Sequence, residues 1–279
     1  MTDPRALVDA ATVRLAAGGV PSPRVDAELL LAAVLDVPRS RLMSRAEVPH
    51  ETVARYDAHV TRRAAREPLQ HITGTAPFRH LVLAVGPGVF VPRPETELLV
   101  DAVLSHLCAL DRAVVLDLCS GSGALALAID GEVPAAQVVA VEQSSAALSW
   151  LRRNAVGTDV RVVSGDVRDP ELLRCCYGRA DAVVCNPPYV PSRAQDVDPE
   201  VLADPRESVF AGGDGLDLIP TVVLRAAQLL RPGGILALEH DDTHESAVPE
   251  LLVADGRFDA VVEHHDLAGR PRYAVATRR

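Results

Sequence analysis

The stretch Ala113-Val114-Val115-Leu116-Asp117-Leu118-Cys119-Ser120-Gly121-Ser122-Gly123 decides the fold. Its apolar run, 113–118, suits a parallel strand buried on both faces. An acid stands at the strand end, and two glycines then turn the chain into a helix over 123–129. Glycine accepts positive φ and lets a ligand approach the backbone closely. Strand and helix patterns then alternate. Strands are expected at 137–141, 160–163, 180–185 and 235–239, with helices at 144–154, 216–230 and 247–254. Arg231-Pro232-Gly233-Gly234 reads as a turn, and strands at 258–264 and 272–277 close the pattern around Ala268-Gly269. This order predicts a doubly wound α/β sheet, mostly parallel, ending in an antiparallel pair.

Upstream, residues 1–75 read as a small helical domain. Leu7, Val8, Ala11 and Leu15 recur at helical spacing until Gly18-Gly19. A second helix spans 23–37 with Ala27, Leu30, Leu31 and Val34 on one face; a short one covers 40–45, a fourth 49–66, and Pro68 ends the region. Residues 76–92 alternate apolar positions around Gly86-Pro87-Gly88, the pattern of a β-hairpin or bent linker. Pro92 and Pro94 bracket Arg93, a helix follows over 95–110, and 93–279 forms the large α/β domain.

Composition narrows the function. The 279 residues carry a formal net charge of -10, and all 28 basic residues are Arg. Proteins that hold duplex nucleic acid present a basic surface to the phosphates, so direct nucleic-acid binding is not expected. Arg62, Arg63 and Arg66, near Arg55, read as a solvated helix face. Five cysteines with no metal spacing indicate reduced thiols, no metal site and a cytoplasmic setting. The N-terminal MTDPRALVDAATVRL does not read as a signal peptide, and no run of 18 apolar residues predicts a membrane span.

Two further acids sharpen the glycine loop. Glu142 ends the second strand, and a carboxylate there suits ribose hydroxyls. Asp166 ends the third strand, where it suits an adenine amino group while Val167 packs on the ring. Ligands of open α/β sheets bind at these carboxyl ends. Either a dinucleotide or S-adenosyl-L-methionine fits the loop, because Ala126 stands where a dinucleotide fingerprint places its third glycine.

The motif after the fourth strand separates the two. Asn186-Pro187-Pro188-Tyr189 carries two prolines that fix φ and remove two backbone donors. The Asn186 side-chain oxygen and the Pro187 carbonyl then offer two acceptors to one planar –NH2, and Tyr189 offers a ring to stack on it. An amide or aromatic amino nitrogen has a delocalised lone pair and is a poor nucleophile. Gripping both N–H bonds aims the nitrogen and stabilises the positive charge that grows on it. This chemistry belongs to methyl transfer from a sulfonium, with S-adenosyl-L-homocysteine as product.

Arg66 to Gly74 (REPLQHITG), Val91-Pro92-Arg93-Pro94-Glu95-Thr96-Glu97, the glycine loop and Asn186 to Tyr189 together resemble the peptide chain release factor glutamine N5-methyltransferases. The resemblance runs through Gly212 to Asp217 and Leu238-Glu239-His240. It implies a Rossmann-like, seven-stranded class I methyltransferase domain preceded by a helical domain that docks the substrate protein. The implied substrate is the glutamine of the Gly-Gly-Gln loop of a release factor. The implied catalytic residues are Asn186, Pro187, Pro188 and Tyr189. The implied cofactor wall adds Phe90, Pro92, Arg93 and Thr96 to Asp117, Cys119, Ser120, Gly121, Ser122, Gly123, Glu142, Asp166, Val167 and Asn186. Three positions depart from the family: Cys119 replaces the loop's first glycine, Asp204 replaces a Glu, and His240 stands where glycine is frequent. If position 119 needs positive φ, cysteine there costs about 1 kcal/mol. An amino methyltransferase acting on adenine or guanine in nucleic acid, and a non-catalytic binding protein of the same fold, are the alternatives.

Overall fold

The computed structural model describes residues 2–44, 47–194 and 197–279. The chain forms two compact units, one comprising residues 1–75 with Asp198–Ala203, the other residues 76–197 with Asp204–Arg279.

The first unit holds α1 (Pro4–Ala17), α2 (Pro23–Leu35), a 3-10 helix (Arg39–Ser44), α3 (His50–Ala64) and α4 (Leu69–Thr73). Asp3 caps α1 by accepting from Arg5 N at 2.9 Å, and Pro4 occupies a first-turn position where its missing N–H costs nothing. Val8, Leu15, Leu30, Leu31, Leu42 and Val60 form the core, and the buried Tyr56 hydroxyl donates to Ala27 O at 3.0 Å. Two expectations need correction. The chain resumes helix in α4 after Pro68, because proline is tolerated at a helix start. Of the short helix expected at 40–45, Arg45 lies outside the described residues.

The basic cluster is not a solvated face either. Arg63 is 3% exposed and pairs with Asp26 and Glu200, each at 2.7 Å. Arg66 meets Glu200 at 2.8 Å and Asp198 at 2.9 Å, and Arg62 meets Glu67 at 2.5 Å. Carboxylates thus neutralise the cluster, two of them from Asp198–Ala203.

The second unit begins with a hairpin of β1 (Thr75–Phe78) and β2 (Leu81–Ala84). Its turn is Arg79-His80, with Arg79 at φ 51°, not Gly86-Pro87-Gly88. The Arg79 side chain is bound by Glu132 and Asp101 and its N–H by Glu97, which holds the left-handed turn. Gly86 instead packs against Trp150. A 3-10 turn (Pro94–Thr96) leads into α5 (Glu97–Leu107), then β3 (Val114–Leu118), α6 (Ala124–Glu132), β4 (Gln137–Glu142), α7 (Ser145–Asn154), β5 (Arg161–Ser164) and β6 (Ala180–Cys185). After a long connection come α8 (Arg206–Val209), α9 (Ile219–Leu229), β7 (Leu230–Glu239), α10 (Ala247–Asp255), β8 (Phe258–His265) and β9 (Pro271–Arg278).

Seven strands form one sheet in the order β5-β4-β3-β6-β7-β9-β8. All neighbours run parallel except β7–β9 and β9–β8. Strand alternation divides the core. Val115, Ala140, Val184 and Ala237 face one layer with residues of α5, α6 and α7; Leu116, Val141, Val183 and Leu238 face the other with residues of α9 and α10. The chain order reverses at β3, so its carboxyl end is the switch point where such sheets bind ligands.

Candidate active site

At that switch point lies a cleft of roughly 960 Å3, within the range of small-ligand sites. The loop after β3 forms its floor. Gly121 and Gly123 take φ 56° and 90°, and Cys119 takes φ 63°, a left-handed conformation costly for a side-chain-bearing residue. At Gly123 a Cβ would come within 2.5 Å of Leu151 Cδ1, so close packing demands glycine as well. Cys119, Ser120, Gly121 and Ser122 line the cleft; Gly123 lies behind them as the first link to α6.

Two acids stand beside the loop. Glu142 is buried and lines the cleft; its Oε2 accepts from Gly121 N at 2.8 Å and its Oε1 from Ser144 N at 2.7 Å. Both bonds fix the carboxylate and leave lone pairs for a ligand. Asp117 also lines the cleft. Burial pushes its carboxyl up to about 7, the Glu142 charge adds to this, and bonds from Ser120 and Ala126 N oppose it. Its Oδ2 accepts from Ala126 N at 3.2 Å, while its buried Oδ1 has no partner. Buried polar atoms are normally satisfied, so Asp117 Oδ1 is an acceptor suited to a cationic ligand group.

The segment before α5 supplies another wall through Phe90, Pro92 and Thr96. Arg93 turns away from the cleft lining. It bonds Asp204 Oδ2 at 2.6 Å and lies over the Phe90 ring, 5.0 Å from its centroid, while Asp204 Oδ1 accepts from Val91 N at 3.2 Å. Asp204 thereby clasps this segment to the connection after β6, whose Pro205, Glu207 and Ser208 also line the cleft. On the β5 side Val167 lines the cleft, whereas Asp166 lies outside the lining and accepts from Arg168 N at 2.8 Å.

Asn186 and Pro188 complete the lining from the end of β6; Pro187 is buried behind them. Asn186 Nδ2 donates to Thr96 Oγ1 at 3.0 Å, which commits the amide nitrogen and leaves its oxygen unengaged by Thr96. The Tyr189 hydroxyl donates to Glu239 Oε1 at 2.8 Å. Burial raises the Tyr189 phenol well above its usual range. Gly215 packs against Tyr189 so closely that a Cβ would come 2.2 Å from the Tyr189 carbonyl oxygen, and its φ of 84° also requires glycine. The connection is zipped at its base by Val190 N to Val209 O at 2.9 Å and Ala211 N to Val190 O at 3.0 Å. Gln195 and Asp196 lie outside the described residues.

Sequence reasoning did not anticipate Gln143, Ser144, Leu218 or the 205–208 stretch as cleft residues. It quoted Glu239 without a role. The available signal was an acid closing a β7 strand otherwise buried over 235–239. His240 is fully buried, with ring nitrogens 2.9 Å from Asp241 O and from Glu263 Oε2. Among the described residues no cluster of His, Cys, Asp and Glu suits a metal ion, and no helix is long and apolar enough to cross a membrane.

The sheet order, the switch-point cleft and the acid-flanked glycine loop define a class I methyltransferase domain. The Methyltransferase small domain family model matches residues 83–247, and the PrmC N-terminal domain model matches residues 6–74. The chain is 50% identical to a release factor glutamine methyltransferase of Mycolicibacterium smegmatis, over 100% of this chain and 99% of that protein. It is 47% identical to one of Streptomyces coelicolor, over 96% and 95%. This chain belongs to the release factor glutamine methyltransferase family. Two solved structures share the fold: a Pyrococcus furiosus methyltransferase (TM-score 0.51, 17% identity, 81% of this chain and 96% of that one) and the T. thermophilus 16S rRNA N2 G1207 methyltransferase (TM-score 0.52, 23% identity, 74% and 50%).

Proposed function

We propose that this chain methylates the side-chain amide nitrogen, N5, of the glutamine in the Gly-Gly-Gln loop of peptide chain release factors, using S-adenosyl-L-methionine. The observation that carries the reading is the committed amide of Asn186: with Nδ2 given to Thr96, the side-chain oxygen is the group left to accept from a substrate N–H.

The cleft fits the cofactor. The partnerless Asp117 Oδ1 suits its cationic amino acid end, Glu142 suits its ribose, and Phe90, Pro92, Thr96 and Val167 give apolar cover. Ser120, Gly121 and Ser122 bring backbone close to it, with Gly123 shaping the turn and Cys119 in the left-handed position. Arg93 supports the wall through Asp204, and Asp166 stands at its outer edge. When bound, S-adenosyl-L-methionine supplies an electrophilic methyl group on a sulfonium. Asn186 Oδ1 and the Pro187 carbonyl take the two amide hydrogens, Pro188 stiffens the turn, and Tyr189 seats the flat group. Both acceptors stabilise the positive charge that grows on the nitrogen, as preorganised dipoles do. No strong base is needed, because the nitrogen becomes acidic once attacked. The helical unit is assigned to docking the release factor, and the net charge of -10 agrees with a protein rather than a polyphosphate substrate.

The test incubates the purified chain and labelled methyl donor with a release factor, with its loop Gln→Ala variant, and with DNA and RNA. Label in the intact release factor alone is expected. Label in nucleic acid, or none despite cofactor binding, overturns the reading.

A further inference from the structure

Glu239 is absent from the cleft lining yet wired to it. It ends β7, next to the strand that delivers Asn186, and is 1% exposed. Two hydroxyls serve its carboxylate: that of Tyr189 at 2.8 Å and that of Thr96. Thr96 Oγ1 in turn accepts from Asn186 Nδ2 at 3.0 Å. These bonds form one directed chain from Asn186 through Thr96 to Glu239.

Direction matters because a hydroxyl has a single proton. While Glu239 is ionised it can only accept, so the Thr96 proton points at it. The Thr96 lone pair then meets the Asn186 NH2, and the Asn186 oxygen is left for the cleft. A protonated Glu239 can itself donate to Thr96. The Thr96 proton then turns toward Asn186, the amide flips to offer its oxygen, and an NH2 confronts the N–H groups of the substrate.

We infer that Glu239 is a positioning residue for methyl transfer: through Thr96 its carboxylate keeps the Asn186 oxygen aimed at the substrate nitrogen, and through the Tyr189 hydroxyl it seats the ring. This rests on the reading of Asn186 as a substrate acceptor given above.

The charged and titratable groups around Glu239 come from four elements. Arg272 of β9 favours the carboxylate and Glu95 of the 3-10 turn opposes it; the Tyr189 phenol and the Cys185 thiol at the end of β6 complete the set. Burial dominates and pushes Glu239 up from the ordinary 4.5 to about 7, while Thr96, Tyr189 and Arg272 pull it back. The competent, ionised form is therefore gained as pH rises through neutrality. Asp117 is pushed to about 7 as well, so the two must be separated by measuring kcat at saturating cofactor.

The experiment measures release-factor methylation from pH 5.5 to 8.5 at saturating S-adenosyl-L-methionine for wild type, Glu239→Gln, Thr96→Val and the double variant. Cofactor affinity is measured separately by calorimetry. Wild-type kcat is expected to climb about tenfold per pH unit below about 7 and then level. Glu239→Gln is expected to lower kcat at pH 8 by roughly 10- to 100-fold, to lose the acid limb, and to keep KM and cofactor affinity within about twofold. Thr96→Val, which removes the relaying hydroxyl, is expected to lower kcat likewise and carries the same test should Glu239→Gln fold poorly. The double variant should be no slower than the slower single, because both break one chain. An intact acid limb with full kcat in Glu239→Gln, or losses that multiply in the double variant, overturns the inference. A wild-type chain that binds cofactor but labels no release factor overturns the functional reading, before any variant is compared, and the inference with it.

Discussion

Arg63 of α3 is buried and meets Glu200 at 2.7 Å, although the two lie far apart in the chain. Asp26 takes the same guanidinium from α2. A buried cation between two carboxylates adds little net stability as a pair, but removing it strands two charges. Arg63→Ala is therefore expected to lower unfolding stability by about 3 kcal/mol, read in urea denaturation. Glu200→Gln, which leaves Arg63 paired with Asp26, should cost clearly less while exposing the 198–203 stretch to limited proteolysis. Equal losses in the two variants would contradict this.

The left-handed φ of Cys119 gives a second expectation. Cys119→Gly relieves strain of about 1 kcal/mol but loosens the unfolded chain by a comparable amount, so thermal stability should stay level or rise slightly. Cys119→Val places a β-branched residue in the same conformation and should lower stability by more than about 1 kcal/mol. A valine variant as stable as the glycine variant would refute the backbone reading.

Stability against pH follows from Asp117 and Glu239, both raised to about 7 from ordinary values of 3.8 and 4.5. Between those limits the folded chain holds protons that the unfolded chain has released. The stability these groups contribute is present in full below their unfolded values and is lost as pH rises toward 7. Urea midpoints for the ligand-free chain at pH 5, 6 and 7.5 should show this decline. Asp117→Asn should flatten part of it. Binding of the cationic cofactor beside Asp117 should also release protons near pH 7, seen in calorimetry as a dependence on buffer ionisation heat.

Asn186→Ala removes one acceptor from the proposed amide clamp. Loss of a preorganised polar group at a developing charge typically costs on the order of 10²-fold in rate. Single-turnover methylation should fall by that order, while the melting temperature changes little because Asn186 is only half-buried. Full activity in this variant would remove the basis of the functional reading.

The sheet was legible because its strands are long apolar runs whose burial leaves one choice of structure; the fourth strand, Ala180–Cys185, has the expected bounds. The glycine loop was legible because positive φ restricts residue choice. The hairpin was misplaced because the usual turn signal, Gly86-Pro87-Gly88, does not form the turn. That place falls to Arg79, held in a left-handed conformation by carboxylates that only folding brings near. The same limit hid Arg93 with Asp204, Arg63 with Glu200, and Asn186 with Thr96 and Glu239. Each joins residues from distant segments, and no local periodicity records such pairings.

Asp198–Ala203 group with the helices at the start of the chain, so the polypeptide passes between its two units three times instead of once. Modularity is correspondingly lost. A fragment of residues 1–75 would leave Arg63 with one of its two counter-ions, and a fragment starting at Ala76 would carry Glu200 with neither of its arginines. The family's two recognisable parts are therefore not interchangeable cassettes in this chain, and swapping its front end for another would mean grafting a six-residue stitch from the back half along with it.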